Sequence, residues 1–258
     1  MTVRREIAGP GVALITINRP EKLNSIDPAT DRLMCEAWAW ADRNEEVRCI
    51  ILTGAHKSFC AGGDITQLLP ALRRRGETNA DDGTFCGLTR VYPTKKPILA
   101  AINGIAFGGG LELALASDIR IASETARFGL PEVQVGVLAG AGGATRLPRL
   151  IPPAIAAEML LTGDPIDAAA AMRAGLVSRI VAPDMLMDTA LMIATRIAAN
   201  APLAIACTLD LIRKSRSLSL AESLDMERAS LRFLLASEDA SEGIAAFSAN
   251  RTPEFTGR

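Results

Sequence analysis

The sequence predicts an α/β core followed by a helical C-terminal region. Three observations predict it. Short apolar strand-like runs alternate with helical patterns over the first two thirds of the 258 residues. Beyond about residue 150 the apolar spacing becomes that of helices. A capping box, Ser219-Leu220-Ala221-Glu222, then opens a late helix whose leucines share one face.

The first strand is Val12–Ile17 (VALITI), apolar on both faces. Asp27-Pro28 starts a helix, with Asp as N-cap and Pro at the first helical position. Leu33, Met34, Ala37, Trp38 and Ala41 fall on one face of that helix, and its two tryptophans, Trp38 and Trp40, read as core or interface. Residues 47–53 (VRCIILT), 97–102 (PILAAI) and 118–122 (DIRIA) are the next strands. Between Thr66 and Arg90 the periodicity is lost. Arg73-Arg74-Arg75 and Asn79-Ala80-Asp81-Asp82-Gly83 read there as a mobile surface loop, its arginines a solvated charge run. Helices are expected over 153–162, 167–174, 185–199 and 202–215, with one short strand at 177–181. In the last helix Leu220, Leu224, Leu231 and Leu234 line one face, which must bury against the core or another subunit.

Composition narrows the function. Hydrophobic residues make up 49% of the chain and charged residues 22%, which suits a packed globular core. The net charge of −1 lacks the basic excess of a nucleic-acid binder. No apolar run approaches the roughly 18 residues of a membrane helix. Residues 1–11 carry neither an apolar signal core nor an arginine-rich amphipathic pattern, so a cytoplasmic location is expected. Cys35, Cys49, Cys60, Cys86 and Cys207 are scattered with no CxxC, and read as buried small hydrophobes. His56, the only histidine, lies in a turn after a strand and reads as solvated. Catalysis must therefore come mainly from carboxylates, backbone amides or a cofactor.

Two glycine-rich turns supply the amides. Ser58-Phe59-Cys60-Ala61-Gly62-Gly63-Asp64-Ile65 follows a strand, and Asn103-Gly104 through Gly108-Gly109-Gly110 opens a short helix. Glycine lets backbone approach a ligand, and the first free amides of a helix point at it. That is the physics of an anion or oxyanion site. Neither turn has the Gly-Lys-Ser/Thr of a nucleotide-phosphate loop. Gly140-Ala141-Gly142-Gly143-Ala144 is only a weak partial match to a dinucleotide turn, with no strand ending before it. Glu112 lies three positions after Gly109, and Glu132 sits in the proline-stiffened turn Phe128-Gly129-Leu130-Pro131-Glu132. Two carboxylates flanking an oxyanion site are what adding water across an activated double bond requires: one activates water, the other protonates the carbon beside the carbonyl.

These markers form an ordered set: Asn18-Arg19-Pro20 with Asn24, residues 59–64 (FCAGGD), Lys96-Pro97, Asn103-Gly104 to Glu112, Ala116-Ser117-Asp118, residues 128–132 (FGLPE), and Gly140-Ala141-Gly142-Gly143 with Arg146-Leu147-Pro148. From about Ile15 to the C-terminus the chain thereby resembles the crotonase (enoyl-CoA hydratase/isomerase) superfamily. The resemblance implies a crotonase-like ββα spiral core with a C-terminal α-helical trimerisation region, expected as residues 1–195 and 196–258, and a homotrimer or a dimer of trimers. It places the oxyanion amides on Gly63 and Gly109, the water-activating base on Glu112 and the proton donor on Glu132. It assigns coenzyme A contacts to Ala61, Gly63, Asp64, Ile65, Thr66 and Gly109, with Lys22 near the phosphates. It implies an acyl-CoA substrate and no metal or other cofactor. The glutamate pair favours a hydratase or dehydratase over family members that only isomerise or cleave, and an enoyl-CoA hydratase is the expected activity. Residues 85–89 (FCGLT), 151–159 (IPPAIAAEM), 201–206 (APLAIA) and 237–240 (SEDA) look like the carnitinyl-CoA dehydratase branch. The family's proline before Gly140 is Ala139 here, and its Thr-Gln after Gly143 is Ala144-Thr145, departures that border the acyl pocket in the family. The rival readings are an isomerase, a dehydratase for a polar acyl-CoA, and a catalytically silent binding protein that binds RNA as some family members do.

Overall fold

The computed structural model describes residues 1–68, 70, 71, 84–90 and 92–258. Arg73 to Arg75 and Asn79 to Gly83 lie outside the described residues.

The first strands form one sheet. β1 (Val3–Gly9) pairs antiparallel with β2 (Val12–Ile17), which runs parallel to β3 (Cys49–Gly54). β5 (Ile98–Ile102), β7 (Ile119–Ser123) and β10 (Arg179–Val181) add in parallel and complete the order β1-β2-β3-β5-β7-β10. A second sheet holds β4 (Ser58–Cys60), β6 (Ile105–Phe107), β8 (Arg127–Gly129) and β9 (Ile166–Asp167) in that order. Its first three strands are parallel. The chain thus steps from the large sheet to the small one three times, β3 to β4, β5 to β6 and β7 to β8. That is the expected spiral.

Side-chain alternation explains why the central strands are apolar throughout. Cys49, Ile51, Leu99 and Ala101 face one way, and Ile50, Leu52, Ile98 and Ala100 face the other. The first set packs under α6 (Leu186–Ala198), through Leu186, Ala190, Ala194 and Ala198. Small residues at four-residue spacing form the stripe that lets this helix lie close to the sheet. The second set faces the main core with Phe59, Phe128, Met34 and Trp38. The expected division at 195/196 falls inside α6.

Helix α1 (Pro28–Arg43) starts as expected: the Asp27 carboxylate accepts the Thr30 amide. The strand expected at 47–53 begins later, at Cys49, because Val47 and Arg48 are tied to turn carbonyls of Asn44 and Gly11. α2 (Gly109–Ala116), α3 (Gly143–Leu150), α4 (Pro153–Thr162) and α5 (Ala168–Arg173) follow the spiral. α7 (Pro202–Lys214), α8 (Leu220–Leu235) and α9 (Glu238–Ser248) close the chain. The capping box forms: Glu222 N–H donates to Ser219 Oγ, and Ser219 N–H to Glu222 Oε2. No residue of α8 is buried, and Leu220, Leu224 and Leu231 stand exposed. Leu234 is half-buried, so this face is covered only in part by its own chain.

Two side-chain expectations are corrected. Cys49, Cys60 and Cys86 are buried, but Cys35 is exposed and Cys207 half-buried, because both lie on outward helix positions. Burial pushes the Cys49 and Cys60 thiols up to about 12, so both stay protonated. His56 is exposed, as read. Among the described residues no single helix is long and apolar enough to cross a membrane.

Candidate active site

The small sheet builds the site. β4, β6 and β8 are adjacent and parallel, so the loops at their C-terminal ends open side by side. That end of a parallel sheet is where α/β folds bind ligands. The loop after β4 carries Gly62 and Gly63, the loop after β6 carries Gly108 and Gly109, and the loop after β8 carries Glu132.

The backbone reaches this geometry only with glycine at key points. Gly108 has φ +52°, a left-handed value, and precedes the first turn of α2. A Cβ on Gly62 would lie 2.9 Å from the Phe107 carbonyl oxygen and 3.1 Å from the Gly109 nitrogen. The two glycine turns therefore touch. Gly63 forms an isolated parallel bridge with Ile26: Ile26 N–H donates to the Gly62 carbonyl and Asp64 N–H to the Ile26 carbonyl. Both bonds lie on one side of that extended segment, so the Gly63 N–H points to the other. The Gly109 N–H is the first of α2 and has no acceptor within its helix.

Two side chains hold the first glycine loop in place. Buried Arg19 donates from Nη1 to Asp64 Oδ2 at 2.9 Å and to Ser25 Oγ at 3.1 Å. Thr66 Oγ donates to Asp64 Oδ1 at 2.6 Å. These bonds hold the Asp64 carboxyl below its ordinary range. Asn24 Nδ2 donates to the carbonyls of Ala55 and Ser58, and its Oδ1 accepts the Arg19 amide. The Asn18-Arg19-Pro20…Asn24 motif is thus a clamp on β4 and its loop.

Glu112 and Glu132 enter from different elements. Glu112 lies one turn into α2 and is 3% exposed. Its Oε1 accepts the Gly143 N–H at 2.8 Å. Burial, with Glu132 nearby, pushes its carboxyl up to about 7 despite that hydrogen bond. Glu132 stands in the 3₁₀ turn Pro131–Val135. A Cβ on Gly108 would come 3.1 Å from its Oε1, so this carboxylate sits at the start of α2. Its Oε2 is buried with no hydrogen-bond partner among the described residues. Burial raises its pKa as well. Two carboxyls with raised pKa in one enclosed space suit proton transfer near neutral pH.

These groups line one cavity of about 460 Å³, with Ala61, Gly63, Ile65, Gly109, Glu112 and Glu132 all in its wall. Leu68, Phe85, Val135, Val137 and Leu138 give the wall its apolar part. Of the expected coenzyme A contacts, Lys22, Asp64 and Thr66 are not in that wall. Lys22 is exposed at the end of a 3₁₀ turn, and the side chains of Asp64 and Thr66 are turned to the Arg19 clamp. Ala139 is buried beside the Gly143 turn, whereas Ala144 and Thr145 are exposed and outside the wall, contrary to the expectation that they border the pocket. A larger groove of about 970 Å³ runs between the end of α1, residues 92–97 and α7. Its Lys96 ammonium is spent on the carbonyls of Ala41, Asp42 and Asn44, and its Arg213 forks onto Asp118, so these cations brace the fold.

Sequence reasoning missed Gly143 as the amide that holds Glu112. It also missed Phe85, whose ring would lie 2.6 Å from a Cβ on Gly109. The available signal for the first was the glycine run at 140–143 itself, once read as a helix start.

Known proteins share this fold and sequence. The family model "Enoyl-CoA hydratase/isomerase" matches residues 8–258. The chain is 43% identical to the (E)-benzylidenesuccinyl-CoA hydratase of Thauera aromatica, over 95% of this chain and 96% of that protein. It is 42% identical to the carnitinyl-CoA dehydratase of Proteus mirabilis, over 95% of this chain and 94% of that protein. A crystal structure of enoyl-CoA hydratase from Mycobacterium tuberculosis superposes with a TM-score of 0.90 at 40% identity, covering 100% of this chain and 99% of that one. With its strand-end glycine loops and near-complete match on both counts, the chain belongs to the enoyl-CoA hydratase/isomerase family.

Proposed function

We propose that the protein adds water reversibly to the double bond of a 2-enoyl-CoA thioester, with Gly63 and Gly109 as the oxyanion donors and Glu112 and Glu132 as the proton-transfer pair. The observation that carries the reading is that both glutamates and both glycines line one cavity.

The thioester oxygen lies between the two amides. Glu112 takes a proton from water as its oxygen bonds to the β-carbon. The π electrons move onto the thioester, and the oxygen gains negative charge beside the N–H dipoles. Such donors act on the transition state more than on the ground state. Glu132, whose burial favours its protonated form, gives a proton to the α-carbon, and the carbonyl re-forms. One water is consumed, and the proton gained by Glu112 returns to Glu132 through solvent. Dehydration is the same path reversed. The thioester supplies the activation, so the scheme uses no metal or other cofactor. Ala61, Ile65 and their neighbours supply the coenzyme A and acyl contacts.

A second reading, dehydration of a polar acyl-CoA, is favoured by the carnitinyl-CoA dehydratase relative. The apolar Leu68, Phe85, Val135 and Val137 of the wall argue for an uncharged acyl group instead. Turnover of short, long, aromatic and trimethylammonium-bearing enoyl-CoAs, with products identified by mass, tests both. Hydration of uncharged substrates is expected. Turnover confined to the cationic substrate would favour the second reading, and none at all would refute both.

The exposed leucines of α8 fit burial against further copies of the chain, as a trimer or a pair of trimers. A cytoplasmic role in fatty acyl metabolism is the setting that suits this chemistry.

A further inference from the structure

Arg146 sits in the first turns of α3, half-buried and outside the cavity wall. Its guanidinium joins two segments that do line the cavity. Nη2 donates to the Thr89 carbonyl, and Nη1 to the Ala141 carbonyl at 3.4 Å. Its own amide donates to the Gly142 carbonyl at 2.7 Å. From Thr89 the path continues to Phe85, whose N–H donates to Thr89 Oγ at 2.9 Å, and so to the ring packed on Gly109. From Ala141 it continues to Gly143, whose N–H holds Glu112 Oε1.

We propose that Arg146 is a positioning residue for the hydration: its guanidinium fork locks residues 84–90 to residues 139–143, holding the Gly143 amide on Glu112 and Phe85 against the Gly109 turn. The planar fork suits this, because two carbonyls in different segments are met by one rigid group; lysine offers only a point charge. The same cation counters part of the rise that burial and Glu132 impose on Glu112. The charged groups around Glu112 are Glu132 from the 3₁₀ turn and Arg146 from α3, with Asp31 of α1 in the same cavity wall.

The proposal rests on the hydration reading for its kinetic part and stands apart from it for its structural part. Two variants of the full chain, Arg146→Lys and Arg146→Met, separate fork from charge. Amide hydrogen exchange over residues 84–90 and 139–143 is measured without substrate. Both variants are expected to exchange at least about tenfold faster in both segments, since each loses the fork. With a short 2-enoyl-CoA, kcat is expected to fall roughly 10- to 100-fold in both while KM moves less. The acid limb of the kcat profile moves to higher pH in Arg146→Met and stays in place in Arg146→Lys, because only methionine removes the charge that favours ionised Glu112. Unchanged exchange in the two segments, or a kcat within about twofold of the parent in both variants, would overturn the proposal. An unmoved limb in Arg146→Met would overturn its electrostatic part. If Arg146→Met does not fold, the exchange of Arg146→Lys decides. If the parent chain hydrates no enoyl-CoA, the functional reading fails and exchange alone judges the fork.

Discussion

The central sheet and the C-terminal helices use similar side chains and treat them oppositely. Ile51 and Leu99 are fully buried between α6 and the strands, whereas Leu220 is 77% and Phe247 88% exposed. The sheet completes its packing within one chain, and the three strand ends that form the cavity inherit that rigidity. The C-terminal helices are tied to the core by a few polar contacts, such as Arg213 on Asp118, and to the tail, where the Asp239 carboxylate accepts the Thr256 and Gly257 amides. Extended apolar surface of this kind is uncommon on a monomer and marks a surface to be covered. The difference teaches that the cavity and the uncovered apolar face are specified in separate parts of the sequence.

Changes at the strand ends should therefore cost turnover, and changes on the C-terminal face should cost association. The largest effect is expected for Glu112→Gln and Glu132→Gln, each lowering kcat on a 2-enoyl-CoA by roughly 10²–10⁴. Near-parent turnover in both would remove the carboxylate pair from the account. Gly109→Ala comes next. Its Cβ would press on the Phe85 ring and displace an oxyanion donor, lowering kcat by about 10². Gly9→Ala is the control: it lies outside the cavity wall, its Cβ meets nothing within 4 Å, and activity should stay within about twofold.

Stability sharpens the same contrast. Ile51→Ala should destabilise by about 2–5 kcal/mol in urea melts. Leu231→Ala should change the unfolding of a dilute single chain by about 0.5 kcal/mol or less, while weakening self-association in sedimentation. Equal losses in unfolding would erase the distinction. A further stability effect is pH-dependent. The Glu112 carboxyl rises from 4.5 to about 7 on folding, so the folded chain holds a proton that the unfolded chain releases between those values. Its favourable contribution is present below 4.5 and lost as pH climbs through about 7. Glu112→Gln should then be more stable than the parent by about 2–3 kcal/mol near pH 8, with the gain gone near pH 4. A gain that grew on acidification would contradict the sign.

Elements with local signals were legible in sequence. The Asp27 cap, the capping box at Ser219 and α4 appear where spacing placed them. The small sheet was not read from its strands: β4, β6 and β8 have three residues each and exist through pairing with distant partners. α3 was hidden by its opening glycines and by Pro148 within it. In the site, the two glutamates and two glycines were legible as a constellation. Their supports were not, because Gly143 meets Glu112 across 31 positions, Arg19 meets Asp64 across 45, and Arg146 meets Thr89 across 57. No local pattern encodes contacts at that range.

One measurement bears most directly on the claim that the amide pair and the two carboxyls act together on a single thioester. A 2-enoyl-CoA is turned over in deuterated water and, separately, in oxygen-18 water, and the product is read by mass spectrometry. The account predicts a 3-hydroxyacyl-CoA carrying one solvent deuteron at the α-carbon and one labelled oxygen at the β-carbon, with both labels lost together in Glu112→Gln and in Glu132→Gln. α-Carbon labelling without β-oxygen incorporation, or incorporation undiminished in the two variants, would contradict it.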